Sequence, residues 1–123
     1  MQRLAEPRLA DAFGALRNLK TIAPLGYLEF VKATAHAGIV LTDSGGVQEE
    51  TAVLRVPCLT LRENTERPVT CTMGSNRLVG TSTAGIVAGY QAVRRGEVDL
   101  DRVPPLWDGR AADRVVDLLA SAG

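Results

Sequence analysis

Residues 41–50 read LTDSGGVQEE. The stretch closes a continuous apolar run, residues 39–42, and turns through Asp43, Ser44, Gly45 and Gly46 into a polar segment of helix-favouring residues. An apolar run of this length, bounded by turn residues, predicts a strand buried on both faces. Strand, glycine corner and helix form half of a parallel βα unit, and the flanking sequence repeats the alternation.

Downstream, residues 46–54 predict a helix and 56–61 a second buried strand. Residues 62–76, RENTERPVTCTMGSN, read as a long polar loop, and ordered loops of that length are commonly functional. A strand over 77–79, a helix over 84–95, an irregular stretch over 99–109 and a helix over 110–120 follow; Val115, Leu118 and Leu119 lie on the apolar side of the last. Upstream, Leu28, Val31 and Ala35 recur at helical spacing, which predicts a helix over 27–37 with Gly38 as its stop. Residues 21–23 predict a short strand halted by Pro24 and Gly26, and 9–19 a helix with Leu9, Phe13, Leu16 and Leu19 on one face. Strands alternating with helices imply an α/β parallel sheet, and 123 residues suffice for one domain.

Composition narrows the function classes. The formal net charge is zero and aromatics make up 4% of residues, so neither a basic face nor a base-stacking surface is implied; nucleic acid is not an expected partner. Two cysteines, Cys58 and Cys71, and one histidine, His36, offer no zinc-ligand spacing, and Cys58 in its strand reads as a small buried hydrophobe. No apolar run approaches the ~20 residues of a membrane span, and the N-terminal residues lack the apolar core of a signal peptide. The expected location is the cytoplasm.

In parallel α/β sheets, ligands gather beyond the carboxyl ends of strands, where LTDSGG lies. Gly45 and Gly46 admit a ligand close to the backbone and permit positive φ, and the free amides of the next helix favour an anion. The dipole contributes roughly 0.3–1 kcal/mol when exposed; direct N–H bonds to a phosphate add about 1.5–3 kcal/mol each. Ser44 can donate one more bond through its hydroxyl. The alternative is an ordinary N-cap, in which Asp43 or Ser44 bonds the helix's own amides. Glu49 and Glu50 point about 100° apart on a helix and cannot form one acid–base pair. One faces the ligand, where a carboxylate one turn past a phosphate corner meets a ribose; the other is a solvated or structural charge.

TDSGGVQEE, VPCLTLRENTERP and GSNRLVG, at their spacing, resemble the non-hydrolysing UDP-N-acetylglucosamine 2-epimerases, from about Glu6 to the C-terminus. The resemblance implies an incomplete C-terminal half of a GT-B type fold, a Rossmann-like sheet flanked by helices whose partner domain is absent. It implies that Ser44, Gly45 and Gly46 hold the diphosphate of UDP, that Glu50 takes the ribose hydroxyls, and that Phe30 lies against the uracil. Arg62, Thr65, Glu66 and Arg67 would belong to a loop that closes near the substrate. The implied reaction inverts C2 of the GlcNAc unit to give UDP-ManNAc, for cell-surface polysaccharide synthesis, by elimination of UDP and re-addition. Most acid and base carboxylates come from the absent domain, so no catalytic residue is assigned here and the isolated chain is expected to be inactive. No cofactor is implied.

Three departures stand out. Glu6-Pro7-Arg8 replaces the family's His-Pro-Arg, Val69 follows Pro68 where the family has Glu, and Leu54-Arg55-Val56-Pro57 replaces Leu-Gly-x-Pro. By the doubly wound order 3-2-1-4-5-6, two strands are also missing between residues 21–23 and 39–42, which opens a gap in the sheet. Expected remedies are a shift of the first strand, a second copy or another chain supplying the missing strands, or a longer gene product of which this is a fragment. The expected ligand is UDP or a UDP-sugar. Rival readings are a non-enzymatic UDP-binding remnant or sheet-completing subunit, half of a GT-B glycosyltransferase, and a serine hydrolase. The last would need a base beside Ser44, but His36 is expected at the opposite end of the strand.

Overall fold

The computed structural model describes residues 7–122. Three short strands, β1 (Val40–Thr42), β2 (Cys58–Thr60) and β3 (Asn76–Leu78), form a parallel sheet in the order β1-β2-β3. Val40 pairs with Cys58 and Cys58 with Asn76, so the strands are level. Around them lie α1 (Pro7–Gly14), α2 (Tyr27–Ala35), α3 (Gly45–Leu54), α4 (Pro68–Thr72), α5 (Thr83–Arg94) and α6 (Ala111–Ala122). No helix among the described residues is long and apolar enough to cross a membrane.

The core follows from strand alternation. All three residues of β2 are buried. Leu59 faces α5, where a Cβ on Gly89 would stand 3.3 Å from a Leu59 methyl and 2.5 Å from Val79 Cγ1. Successive strand residues point to opposite faces, so Cys58 and Thr60 turn toward α3, and burial pushes the Cys58 thiol's pKa up. Cys58 is the small buried residue the sequence suggests.

Four expectations are corrected. Residues 21–23 form no strand and lie exposed. A single extended segment has no ladder partner here, so its backbone stays with water. Second, α2 stops at Ala35 rather than Ala37: His36 is the C-cap (φ −98°, ψ 1°), its N–H donating to Lys32 O, so Gly38 lies beyond the helix. Third, the helix expected over 9–19 ends at Gly14. Fourth, the polar loop contains α4, whose first position is Pro68, the residue that lacks an N–H where a helix has no use for one.

Arg55 ends α3 in the left-handed region (φ 57°, ψ 40°). That conformation suits glycine, and this is the position at which the resembled family carries one. Glu6 lies outside the described residues.

Both outer strands, β1 and β3, are edges of the sheet among the described residues, and the β1 edge lies beside a groove. Val40 N donates to Pro57 O and Thr42 O accepts from Leu61 N, so Val40 and Thr42 bond toward β2. In a parallel ladder the intervening residue faces the other way, which leaves the Leu41 peptide groups on the free edge. A groove of about 360 Å³ runs along that edge, with Phe30, Ala33 and Ala37 of the α2 segment as its apolar wall.

Candidate functional site

Ser44 caps α3. It is extended (φ −84°, ψ 127°), and its Oγ accepts from Val47 N at 3.4 Å. Its own N–H donates to Thr42 Oγ1 at 3.1 Å, which braces the corner from the strand side. The N-cap role expected as an alternative is therefore present. It does not exhaust the serine, because a hydroxyl that accepts through a lone pair keeps its proton to donate.

Gly45 and Gly46 begin the helix, where backbone amides have no intrahelical acceptor. Neither has a positive φ; the glycines that do are Gly80, Gly96 and Gly109. The positive φ that glycine permits is therefore not used at the corner. A Cβ on Gly46 would meet nothing closer than Ser44 Oγ at 3.9 Å, and one on Gly45 nothing closer than Arg67 Cγ at 3.9 Å. The protein's own packing thus has no need for two glycines here.

The next residues diverge around the helix. Gln48 turns inward and is 1% exposed. Glu49 is half-buried and ion-pairs with Arg67. Glu50, also half-buried, lines a groove of about 290 Å³ together with Glu49, Tyr27, Val31, Val53 and Leu54. Phe30, one turn after Tyr27 on α2 and 39% exposed, lines the neighbouring edge groove, which ends at Thr42 and Val47 on either side of the corner. Glu50 and Phe30 therefore occupy adjacent grooves rather than one.

The loop after β2 is tied down at several points. Arg62 O accepts from Gly80 N at 3.0 Å, and the Arg62 side chain reaches Asn64 Oδ1 at 3.4 Å. The Glu63 carboxylate accepts from Thr81 N at 3.4 Å. Thr65 Oγ1 donates to Gln48 Oε1 at 2.7 Å and accepts from Arg67 N at 3.0 Å. Glu66 is exposed and contributes its carbonyl to the Arg67 guanidinium at 3.3 Å. The structure thus brings Thr65 and Arg67 to the corner and leaves Arg62 and Glu66 at the loop's outer turn. His36 is engaged elsewhere, Nδ1 meeting Lys32 O at 2.8 Å on α2.

The comparisons with known proteins agree with one another. The family model described as UDP-N-acetylglucosamine 2-epimerase matches residues 3–120. The chain belongs to the UDP-N-acetylglucosamine 2-epimerase family. It is 40% identical over 118 residues to the UDP-N-acetylglucosamine 2-epimerase of Methanocaldococcus jannaschii, covering 96% of this chain and 32% of that protein. Against the Salmonella typhimurium enzyme of the same name it is 39% identical over 112 residues, 88% of this chain and 30% of the relative. The structure of the M. jannaschii epimerase superposes with a TM-score of 0.83 at 39% identity, over 98% of this chain and 33% of that one. The Neisseria meningitidis epimerase bound to UDP-GlcNAc gives 0.81 at 32% identity, over 92% and 32%. The chain therefore spans about a third of the length of the 2-epimerases it matches.

Within this family member, one lining residue, Tyr27, and one buried partner of the loop, Gln48, were not singled out by the sequence. Tyr27, 71% exposed, shares the Glu50 groove; its signal was its position one helical turn before Phe30. Gln48 had a signal too: with Thr51 and Ala52 it forms the i, i+3, i+4 face that packs on the sheet.

Proposed function

We propose that this chain is the UDP-binding portion of a UDP-GlcNAc 2-epimerase, an isomerase that interconverts UDP-GlcNAc and UDP-ManNAc. The observation that carries the reading is the corner at Ser44–Gly46: free helix-start amides and two glycines the fold does not need. In this reading the Gly45 and Gly46 amides and the Ser44 hydroxyl hold the diphosphate, since a helix N-terminus favours an anion. Glu50, on the same helix, accepts from the ribose hydroxyls, with Tyr27 walling its groove. Phe30 takes the face of the uracil. Arg62, Thr65, Glu66 and Arg67 form the loop beside the substrate, already tied to α3 through Gln48 and Glu49. Support also comes from the relatives: the M. jannaschii epimerase structure in complex with UDP-GlcNAc and UDP superposes with a TM-score of 0.80 at 39% identity, over 98% of this chain and 33% of that one. No acid–base pair is assigned in this chain, which by itself binds the nucleotide without turning it over. The reading places it in the cytoplasm.

A second proposal rests on the open edge of β1. The free Leu41 peptide groups and the apolar groove beside them favour completion by extended strands, from the same gene product, a second copy or another chain. In that role the chain is a sheet-completing part of a larger unit.

Calorimetric titration of UDP into the chain tests the corner. Glu50→Ala is expected to weaken binding by about 1–3 kcal/mol, the loss of a charged hydrogen-bond acceptor. Gly46→Ala is expected to weaken binding while the unfolding midpoint holds or rises, because alanine is the better helix former. Unchanged affinity in both variants removes the corner from the site.

A further inference from the structure

The Arg67 peptide is gripped on both sides by side chains that reach it from the core. Its N–H donates to Thr65 Oγ1 at 3.0 Å, and that hydroxyl donates onward to Gln48 Oε1 at 2.7 Å. Its carbonyl accepts from Thr70 N at 3.0 Å and from Thr70 Oγ1 at 2.7 Å. Thr70 Oγ1 in turn accepts from Asn76 Nδ2 at 3.0 Å, and Asn76 Oδ1 accepts from Thr60 Oγ1 at 2.6 Å. Two relays thus converge on one residue, one from α3 and one from the ends of β2 and β3.

Every inner member of these relays is out of water: Gln48, Thr60, Thr70 and Asn76 are each at most 5% exposed. Among the described residues no buried side-chain nitrogen or oxygen lacks a partner. Buried polar groups are costly to leave unpaired, and apolar side chains would fill the same volume without that risk. A satisfied buried network instead specifies one arrangement of what it holds. What it holds is the loop residue whose aliphatic stem lies over Gly45 and whose guanidinium pairs with Glu49.

We infer that Gln48 and Asn76 are positioning residues, which through Thr65 and Thr70 set the place of the Arg67 backbone, and hence of the loop, over the Ser44–Gly46 corner. The inference deepens the proposed function and rests on it for its consequence in binding. Its structural part stands on the hydrogen bonds alone. The loop is then a strut built from the core, held before any ligand arrives, rather than a lid that closes afterwards.

The test pairs amide hydrogen exchange by NMR with UDP titration on the full chain. Gln48→Met removes the acceptor and keeps the length. It is expected to speed exchange at the Arg67 amide about tenfold, the loss of one hydrogen bond, and to weaken UDP binding by a comparable factor. Exchange at the β2 amides is expected to stay unchanged. Thr65→Ser, which keeps the hydroxyl, is expected to leave exchange at the Arg67 amide as it is in the parent. In a Thr65→Val background, Gln48→Met is expected to cost no further affinity, because it acts through that hydroxyl. Should Gln48→Met not fold, Thr65→Val cuts the same relay at a half-buried site and carries the same expectations. Unchanged exchange at Arg67 in these variants overturns the inference, as does an equal loss of affinity from Gln48→Met with and without the Thr65 hydroxyl. If the parent chain takes up no UDP, the functional proposal fails, and the exchange rates alone decide the positioning role.

Discussion

Arg55 shows what a single residue costs when the backbone around it is set. Its left-handed φ of 57° disfavours any side chain by roughly 1–2 kcal/mol. Its compensation is small: the Arg55–Asp101 pair at 3.5 Å is exposed on both sides, and such pairs contribute about 0–1 kcal/mol. Glycine relieves the strain but loses about 0.5–1 kcal/mol of chain entropy. Arg55→Gly is therefore expected to raise stability by about 0.5–1 kcal/mol in a urea melt; a lower midpoint would refute the strain argument. The residue scale also explains Gln48, Glu49 and Glu50. Three neighbours on a helix point in three directions: Gln48 meets the loop hydroxyl, Glu49 the loop arginine, and Glu50 joins Glu49 along the open groove. Helix geometry sets Glu49 and Glu50 about 100° apart, which rules out one acid–base pair but does not choose between them; Glu49 is the one that pairs with Arg67.

At the scale of elements, the strands and helices with clear periodicity were legible, and the misses share a cause. Residues 21–23 have strand-like side chains but no neighbour to bond, whereas α4 has a strand-like composition, PVTCT, and forms a helical turn because Pro68 starts it and Thr70 bonds back to Arg67. Both outcomes turn on partners distant in sequence or on a local cap, not on propensity. β2 supplies a pH prediction. Burial raises the Cys58 thiol above its ordinary value, so the folded strand keeps the proton after the unfolded chain has lost it. Fewer protons on the unfolded state mean that stability falls as pH rises past the free-thiol range near about 8.5. Cys58→Ala is expected to lower stability at neutral pH and to flatten the alkaline decline, read as the difference in slope of unfolding free energy against pH. An unchanged slope would show that the thiol does not titrate with folding.

Across the whole molecule, apolar surface is left over. α6 has no buried residue, and Leu118 and Leu119 on its apolar side are 70% and 69% exposed. With the open β1 edge, this fits a chain that matches about a third of its relatives' length. Substituting both leucines by lysine is expected to move the unfolding midpoint by less than about 0.5 kcal/mol, the range for surface changes, while reducing self-association in sedimentation. A loss of several kcal/mol would mean that α6 packs on the core. The sequence by itself determined the βα alternation, the parallel sheet, the glycine corner and the family, since these rest on periodicity and on residues adjacent in the chain. Only the tertiary structure decided that Gln48 and Asn76 hold the loop, that Phe30 and Glu50 face neighbouring grooves, and that residues 21–23 pair with nothing. Those facts depend on which side chains meet across 16 or more residues of sequence, and no local pattern encodes such a meeting.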